Sequence, residues 1–133
     1  MKAGDRKVLF HREGRTASVA VTEKTGEDGR PYSRDLHINL LGASVVDRDH
    51  HHQQYYAMVS LLPLALHPDP KQIFVAGLAS GVTTGAATVH SGTEMVTSVE
   101  ISPEVIAAAS LFAADNFDVA HNPDGMRSLT SAL

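Results

Sequence analysis

The pattern of apolar and polar positions changes near residue 48. Before that point, short runs rich in Val, Thr and Phe alternate with polar residues, a pattern typical of half-buried strands. We expect strands at 7–10, 16–22 and 36–41, and a charged, glycine-containing loop at 23–33. This part of the chain is predicted to form a small antiparallel sheet of two to four strands.

A helix is predicted next, because apolar side chains recur at helical spacing. The positions in question are Tyr55, Met58, Val59, Leu62 and Leu66. They predict a helix that packs this apolar face, Tyr55 included, against the core. Pro63 lies inside the pattern, so the helix is expected to end or kink near Leu62.

The remaining chain has a β-α-β-α pattern. Ile73–Ala76 and Met95–Val99 are short apolar runs typical of buried parallel strands. A helix is expected over 83–90 and a second over 105–112, for which Ser102 is a good N-cap and Pro103 a good first residue. After Asn116 the pattern predicts only a turn at 122–125. The expected fold class is therefore α/β, with two parallel strands in this part.

A glycine-containing segment between the first parallel strand and its helix is the best candidate for chemistry. Glycines at Gly77 and Gly81 let the backbone turn sharply and approach a ligand. Glu100 ends the next strand 23 residues after Gly77, near the spacing of about 20 at which a carboxylate holds ribose hydroxyls. The pattern favours a nucleoside site. Its glycine spacing is not the dinucleotide fingerprint, so glycines that serve only packing are the alternative.

Composition and charge narrow the functional classes. The chain has no cysteine, which excludes disulfides and thiolate metal sites, and no apolar run of about 18 residues, so no membrane span is expected. No signal peptide is visible, and a cytoplasmic location is predicted. Residues 1–48 carry a net charge of +2 and residues 49–133 a net charge of −6. The second part has few cations for phosphates, so no nucleic-acid partner is expected.

Three segments together resemble the polyamine synthase family. Leu62–Lys71, followed by the strand and the glycine loop, is similar to a signature in which an LPLxxHPxPK run precedes the same elements. Val99–Ile106 is similar to the VEIDPEVI segment of that family. Gly77–Ala87 resembles the GLGTGVTAGAA loop of spermidine-synthase-like domains, some of which are fused to membrane transporters. The resemblance covers about residues 8–123 and identifies the chain as spermidine synthase-like.

The resemblance implies a fold, an activity and a set of site residues. The family has a β-region, here 1–48, followed by a Rossmann-like domain of the methyltransferase type, here a partial one at 49–133. Its aminopropyltransferases move an aminopropyl group from decarboxylated S-adenosylmethionine to an amine acceptor. The implied site residues are Gly77, Leu78, Ala79, Ser80 and Gly81 beside the nucleoside, Glu100 and Ile101 at the ribose, and Tyr55 and Tyr56 at the substrate. Decarboxylated S-adenosylmethionine or S-adenosylmethionine is the expected co-substrate, with no tightly bound cofactor and a homo-oligomeric state.

The chain departs from the family pattern in ways that affect activity. The stretch before the LPL run resembles DExxYQEM, but His51 and His52 occupy the two acidic positions, which removes carboxylates that attract a protonated amine. The middle glycine of the loop is Ala79. The third strand with its adenine-contacting turn and the fourth strand with the catalytic aspartate have no recognisable counterpart. We therefore predict no catalytic residue and weak or no activity of the chain alone.

Two other interpretations follow from the same sequence. The first is a non-catalytic remnant or a dimerisation module that keeps the family fold. The second is metal binding by His50, His51 and His52, which we expect to be adventitious, because three adjacent histidines cannot face one site on a regular element.

Overall fold

The computed structural model describes residues 6–121 and the backbone of residues 126–129. The N-terminal part is a four-stranded antiparallel sheet in the order β1-β2-β3-β4. Its strands are β1 (Arg6–Glu13), β2 (Ser18–Thr25), β3 (Pro31–Ile38) and β4 (Leu41–Asp47). The predicted antiparallel sheet is confirmed. The predicted loop at 23–33 is shorter than expected, because Lys24 still pairs with Ser33 across β2 and β3.

The turn between β3 and β4 falls inside the segment predicted as one strand at 36–41, so that prediction is wrong. Asn39 and Leu40 both have left-handed backbone angles, with φ of 51° and 67°. Two such residues form the mirror-image turn that matches the twist of a hairpin. Asn39 adopts this conformation readily, and its Oδ1 accepts a hydrogen bond from the Ser18 amide at 2.9 Å. Leucine is uncommon in such turns, so the sequence pattern does not predict a hairpin at Leu40.

The second part is a three-stranded parallel sheet in the order β5-β6-β7. Its elements are β5 (Gln72–Ala76), α2 (Val82–Thr88), β6 (Met95–Val99), α3 (Pro103–Ala109), a 3₁₀ turn (Ser110–Phe112) and β7 (Met126–Leu129). The α/β class and the βαβα unit are confirmed. The expectation of two parallel strands is wrong, because β7 adds a third beside β6. The turn predicted at 122–125 lies outside the described residues.

Helix α1 (His51–Leu66) precedes this sheet and differs from prediction in two respects. It continues through Pro63, which lies on the exposed side of the helix. Its buried residues are Gln53, Ser60 and Leu64, whereas the predicted apolar face is exposed. The reason is that α1 packs on α2 and on β5 and β6 through the opposite side, where Leu64 meets Ala87 and Val96.

The main core joins the two parts of the chain. Strand residues of the antiparallel sheet pack against α3 and the turn after it; the buried apolar residues include Val19, Val21, Leu36, Val46, Val105, Ala108, Ala109 and Phe112. Ser102 caps α3 as predicted, accepting a hydrogen bond from the Val105 amide. This core contains residues from both sides of position 48. The division of the chain into two domains at that position therefore stays a prediction. Among the described helices, none has the length and apolar character needed to cross a membrane.

Candidate functional site

The glycine loop at 77–81 lies at the carboxyl end of β5, and its backbone is left-handed at three positions. The φ angles are 85° at Gly77, 50° at Ala79 and 86° at Gly81. Glycine adopts these angles without cost, whereas a residue with a Cβ pays about 1–2 kcal/mol. Ala79 therefore carries strain at the position where the resembling family has glycine. A Cβ built on Gly77 would meet nothing within 4 Å, so this side of the loop is open.

Glu100 fixes the loop to the next strand. Its Oε2 accepts a hydrogen bond from the Leu78 amide and its Oε1 accepts one from the Ser102 amide, both at 3.0 Å. A carboxylate has about four acceptor positions, so two remain for a ligand. The structure thus brings Glu100 to the glycine loop, as the sequence predicted. Ile101, also predicted to lie at the site, follows Glu100 and is exposed.

A network of buried polar side chains contacts the glycine loop through Ser80, and no pattern in the sequence predicts it. The hydroxyl groups of Ser80 and Ser44 lie 2.7 Å apart, both in buried residues. Asn116 is fully buried, and its Nδ2 donates to the carbonyl oxygens of Ser80 at 2.7 Å and Ala109 at 2.9 Å. Ser44 lies on β4 and Asn116 follows the 3₁₀ turn, so no local spacing links them to the loop. Ser80, predicted to bind the nucleoside, turns its hydroxyl into this network.

Close packing explains why the chain has glycine at two of these positions, Gly81 and Gly85. A Cβ at Gly81 would lie 2.8 Å from Val119 Cγ2 and 2.9 Å from Asn116 Nδ2, and a Cβ at Gly85 would overlap the Asn116 carbonyl oxygen. Real Cβ atoms do not approach other atoms so closely. Gly85 therefore serves packing. Gly81 serves both packing and the left-handed turn, and Gly77 serves the turn at the open side.

The two tyrosines predicted at the substrate have different environments. Tyr56 packs against the main core, and its hydroxyl accepts a hydrogen bond from the Val45 amide at 3.2 Å. Tyr55 is 66% exposed, which contradicts the expectation that it packs in the core. The two rings meet edge to face with centroids 5.5 Å apart. Tyr56 thus holds α1 against the antiparallel sheet, while Tyr55 is free on the surface.

The segment that leads into α1 and the first residue of that helix offer three groups that suit a metal ion. One ligand atom each from Asp47, Asp49 and His51 lies within 4.8 Å of the others. Asp47 is buried, but its carboxylate already accepts from the His52 side chain at 2.6 Å and from the amides of Asp49 and His52. We therefore interpret Asp47 as a cap for the start of α1 and assign no metal to the cluster.

The pKa of Asp47 reflects this capping role. Burial pushes the pKa up, but hydrogen bonds from the His52 side chain and from nearby backbone amides outweigh it and hold the pKa below 3.8. Asp47→Asn is expected to cost about 1–2 kcal/mol of unfolding free energy at pH 7, because a charged acceptor forms stronger hydrogen bonds with the His52 side chain and the backbone amides than a neutral amide does. A carboxylate with a lowered pKa stabilises the fold above its unfolded pKa and loses that contribution as pH falls through the folded value.

Urea unfolding from pH 7 to pH 3 checks this prediction. The difference between Asp47→Asn and the wild type is expected to shrink as the pH falls below about 3.8. Asp69→Asn is the matched control, because Asp69 is exposed before β5 and outside this cluster. An Asp47→Asn deficit that is the same at pH 3 and pH 7 would rule out the ionised cap.

An open pocket of about 270 Å³ lies at a different place, between the antiparallel sheet and the segment after the 3₁₀ turn. Its walls include Tyr32, Arg34, Asp47, His50 and Asp115, but no residue of the glycine loop. Arg34 is held there by Glu23 at 2.7 Å, and Asp115 accepts a hydrogen bond from Gln53. The polar groups of this pocket largely satisfy one another, so the glycine loop remains the better candidate site.

Comparison with known proteins supports the recognised resemblance. No protein-family model matches the chain. A polyamine aminopropyltransferase of Desulforudis audaxviator (strain MP104C) is 35% identical over 86 residues, which are 64% of this chain and 30% of that protein. The chain is therefore related in sequence to part of a polyamine aminopropyltransferase.

Solved structures agree at the level of the fold. The spermidine synthase of Thermotoga maritima matches with a TM-score of 0.77 and 18% identity, over 94% of this chain and 41% of that one. A spermidine synthase in complex with the transition state analogue AdoDATO matches with a TM-score of 0.76 and 18% identity, over 93% of this chain and 40% of that one. The spermidine synthase-like fold is thus confirmed. The chain spans 30–41% of the length of these relatives.

Proposed function

From the sequence relation to a polyamine aminopropyltransferase and the fold shared with spermidine synthases, we propose that the chain binds a nucleoside of the S-adenosylmethionine type. The observation that carries the proposal is the Glu100 carboxylate, which two backbone amides hold beside the open, left-handed loop that begins at Gly77. A carboxylate fixed in this way offers its remaining acceptor positions to the two hydroxyl groups of a ribose.

The loop supplies the second part of the proposed site. The exposed Gly77 lets the ligand approach the backbone, which a side chain at that position would prevent. Leu78 and Ser80 are buried, so the loop offers the ligand mainly its backbone. Ala79 adds one methyl group on a partly exposed position, which narrows the space available to the sulfur side of the nucleoside.

The proposed ligand is decarboxylated S-adenosylmethionine or S-adenosylmethionine, and the related protein's name suggests aminopropyl transfer to an amine. In that reaction the amine first loses a proton, its nitrogen attacks the aminopropyl carbon of decarboxylated S-adenosylmethionine, the carbon–sulfur bond breaks, and methylthioadenosine leaves. His51 and His52 stand where carboxylates would attract the amine, and both are exposed. We therefore propose that these 133 residues bind the nucleoside but transfer little or nothing alone.

Calorimetry with decarboxylated S-adenosylmethionine, S-adenosylmethionine and methylthioadenosine tests the proposal. We expect at least one of the three to bind, and Glu100→Ala to weaken that binding at least about tenfold, since it removes hydrogen bonds to a charged acceptor. Glu100→Gln keeps the shape of the side chain and separates loss of charge from loss of the loop contacts. Glu94→Ala is the matched control, because Glu94 is exposed and its carboxylate lies near Lys71.

The outcomes separate the two functions. Binding that Glu94→Ala keeps and Glu100→Ala loses would support a nucleoside site. If none of the three ligands binds to the folded chain, the site proposal fails. The alternative is then favoured, a non-catalytic module that keeps the fold and serves association. The predicted cytoplasmic location does not affect either outcome.

A further inference from the structure

Ala79 has a strained backbone angle in the middle of the glycine loop. Its φ is 50°, which glycine adopts freely and alanine rarely does. Ala79 is the second residue of a tight turn, which the Gly81 amide closes by donating to the Leu78 carbonyl oxygen at 2.9 Å. A strained conformation of this kind persists only where the surrounding structure determines it. The contacts of the residues beside Ala79 therefore decide whether the loop keeps its shape.

Hydrogen bonds hold the residues on both sides of this strained position. Before it, the Leu78 amide donates to the Glu100 carboxylate. After it, Ser80 is held twice: its carbonyl oxygen accepts from Asn116, and its hydroxyl oxygen lies 2.7 Å from that of Ser44. Ser44 belongs to β4, so the antiparallel sheet contacts the glycine loop directly.

The position of Ser44 on β4 directs its side chain to the loop. Ser44 lies opposite Leu36 on β3, and residues directly opposite each other in a sheet point to the same face. That face contributes to the main core, in which Leu36, Val46 and the loop residue Leu78 are buried. A hydroxyl group among apolar side chains needs a hydrogen-bond partner, which the Ser80 hydroxyl provides. Removing either hydroxyl takes this partner from the other.

We propose that Ser44 is a positioning residue for the nucleoside site: through Ser80 it holds the loop in the strained conformation at Ala79. The inference rests on the proposed nucleoside binding, because it states what fixes the loop for the ligand. Ser44 does not contact the ligand itself, since it is 3% exposed and faces the core. The antiparallel sheet is then a part of the nucleoside site.

Hydrogen exchange tests the effect of Ser44 on the loop without a ligand. The Gly81 amide, which closes the turn, is expected to exchange at least about tenfold faster in Ser44→Ala, because the strained turn opens more often. Adding Ala79→Gly is expected to return the exchange to about the wild-type rate, since glycine adopts the left-handed angle without strain. Adding Leu40→Gly is the matched control, because it relieves the same kind of strain at the β3–β4 turn, away from the loop.

Calorimetry with decarboxylated S-adenosylmethionine, S-adenosylmethionine and methylthioadenosine extends the test to the site. Ser44→Ala is expected to weaken binding about tenfold, because a smaller fraction of the chains has the binding conformation, and Ala79→Gly is expected to restore it. Ser80→Ala is expected to have a similar effect, and the double variant of Ser44→Ala with Ser80→Ala little more than either alone. Ser98→Ala is the matched control: it removes a buried hydroxyl that pairs with Thr84 and not with the loop, so binding is expected to be unchanged.

Three results would overturn the proposal. The first is a Gly81 amide that exchanges at the wild-type rate in Ser44→Ala. The second is a rescue by Leu40→Gly as complete as that by Ala79→Gly, which would indicate a general loss of stability. The third is faster exchange in Ser44→Ala with nucleoside binding unchanged. If the wild type binds none of the three nucleosides, the nucleoside site fails, while the exchange rates still decide whether Ser44 holds the loop.

Discussion

Gly85→Ala is expected to destabilise the chain by about 3 kcal/mol, a large loss for a single methyl group. Helix propensity alone predicts the opposite, because Ala in a helix is about 1 kcal/mol more favourable than Gly. The packing around Gly85 instead predicts that the substitution lowers the stability. The added Cβ would overlap the carbonyl oxygen of Asn116 and lie 3.0 Å from Phe117 Cδ2. The backbone oxygen cannot rotate away, so α2 has to move off the segment that follows the 3₁₀ turn.

Urea unfolding measures this effect, and Gly42→Ala is its control. A Cβ at Gly42 would meet nothing within 4 Å, and Gly42 has no left-handed backbone angle. We expect that substitution to change the unfolding free energy by less than about 0.5 kcal/mol. A Gly85→Ala variant as stable as the wild type would mean that α2 does not contact Asn116 as closely as described.

The parallel unit was predictable because its signals are local. Met95–Val99 is a short apolar run between polar segments, and the strand has those same bounds. Ser102 and Pro103 mark the start of α3 for reasons that act within one turn of helix. Glu100 could be placed at the glycine loop because a carboxylate that ends a parallel strand lies beside the end of its neighbour.

The errors arose where tertiary contacts or unusual residues decide the structure. The periodicity of α1 correctly predicts a helix, but it does not say which side of the helix is buried. Ser60 and Leu64 pack inward, whereas the residues of the predicted apolar face remain exposed. Leu40 in a left-handed turn, and β7 with its short sequence Met126–Leu129, carry no signal that a local pattern would detect.

The sequence does not predict the buried polar network at the glycine loop for a related reason. Asn116 lies 36 residues after Ser80 and 7 after Ala109, and only the folded chain brings these groups together. Asparagine is common in turns and on surfaces, so its presence at position 116 did not mark it as buried. A fully buried amide that donates to two backbone carbonyl oxygens is a structural requirement that a substitution can test directly.

Asn116→Asp is expected to destabilise the chain by about 3–5 kcal/mol at pH 7. The substitution keeps the shape of the side chain but replaces Nδ2, a donor, by an oxygen that faces the carbonyl oxygens of Ser80 and Ala109. Both carbonyl groups lose their partner, and a buried charge has no cation to balance it. Because Asn116 holds the glycine loop through the Ser80 carbonyl oxygen, nucleoside binding is expected to weaken in the same variant.

The acid dependence distinguishes this cause from a general loss of packing. Burial and two facing carbonyl oxygens raise the pKa of the new carboxyl group above the unfolded value of about 3.9. A raised folded pKa makes the deficit largest at neutral pH, and the deficit decreases as the pH falls and the group takes up a proton. Asn39→Asp is the matched control: the Asn39 Oδ1 accepts from the Ser18 amide, so an aspartate keeps that bond and should cost less than about 0.5 kcal/mol. An Asn116→Asp deficit independent of pH, or equal to that of Asn39→Asp, would show that the Asn116 amide does not hold the glycine loop.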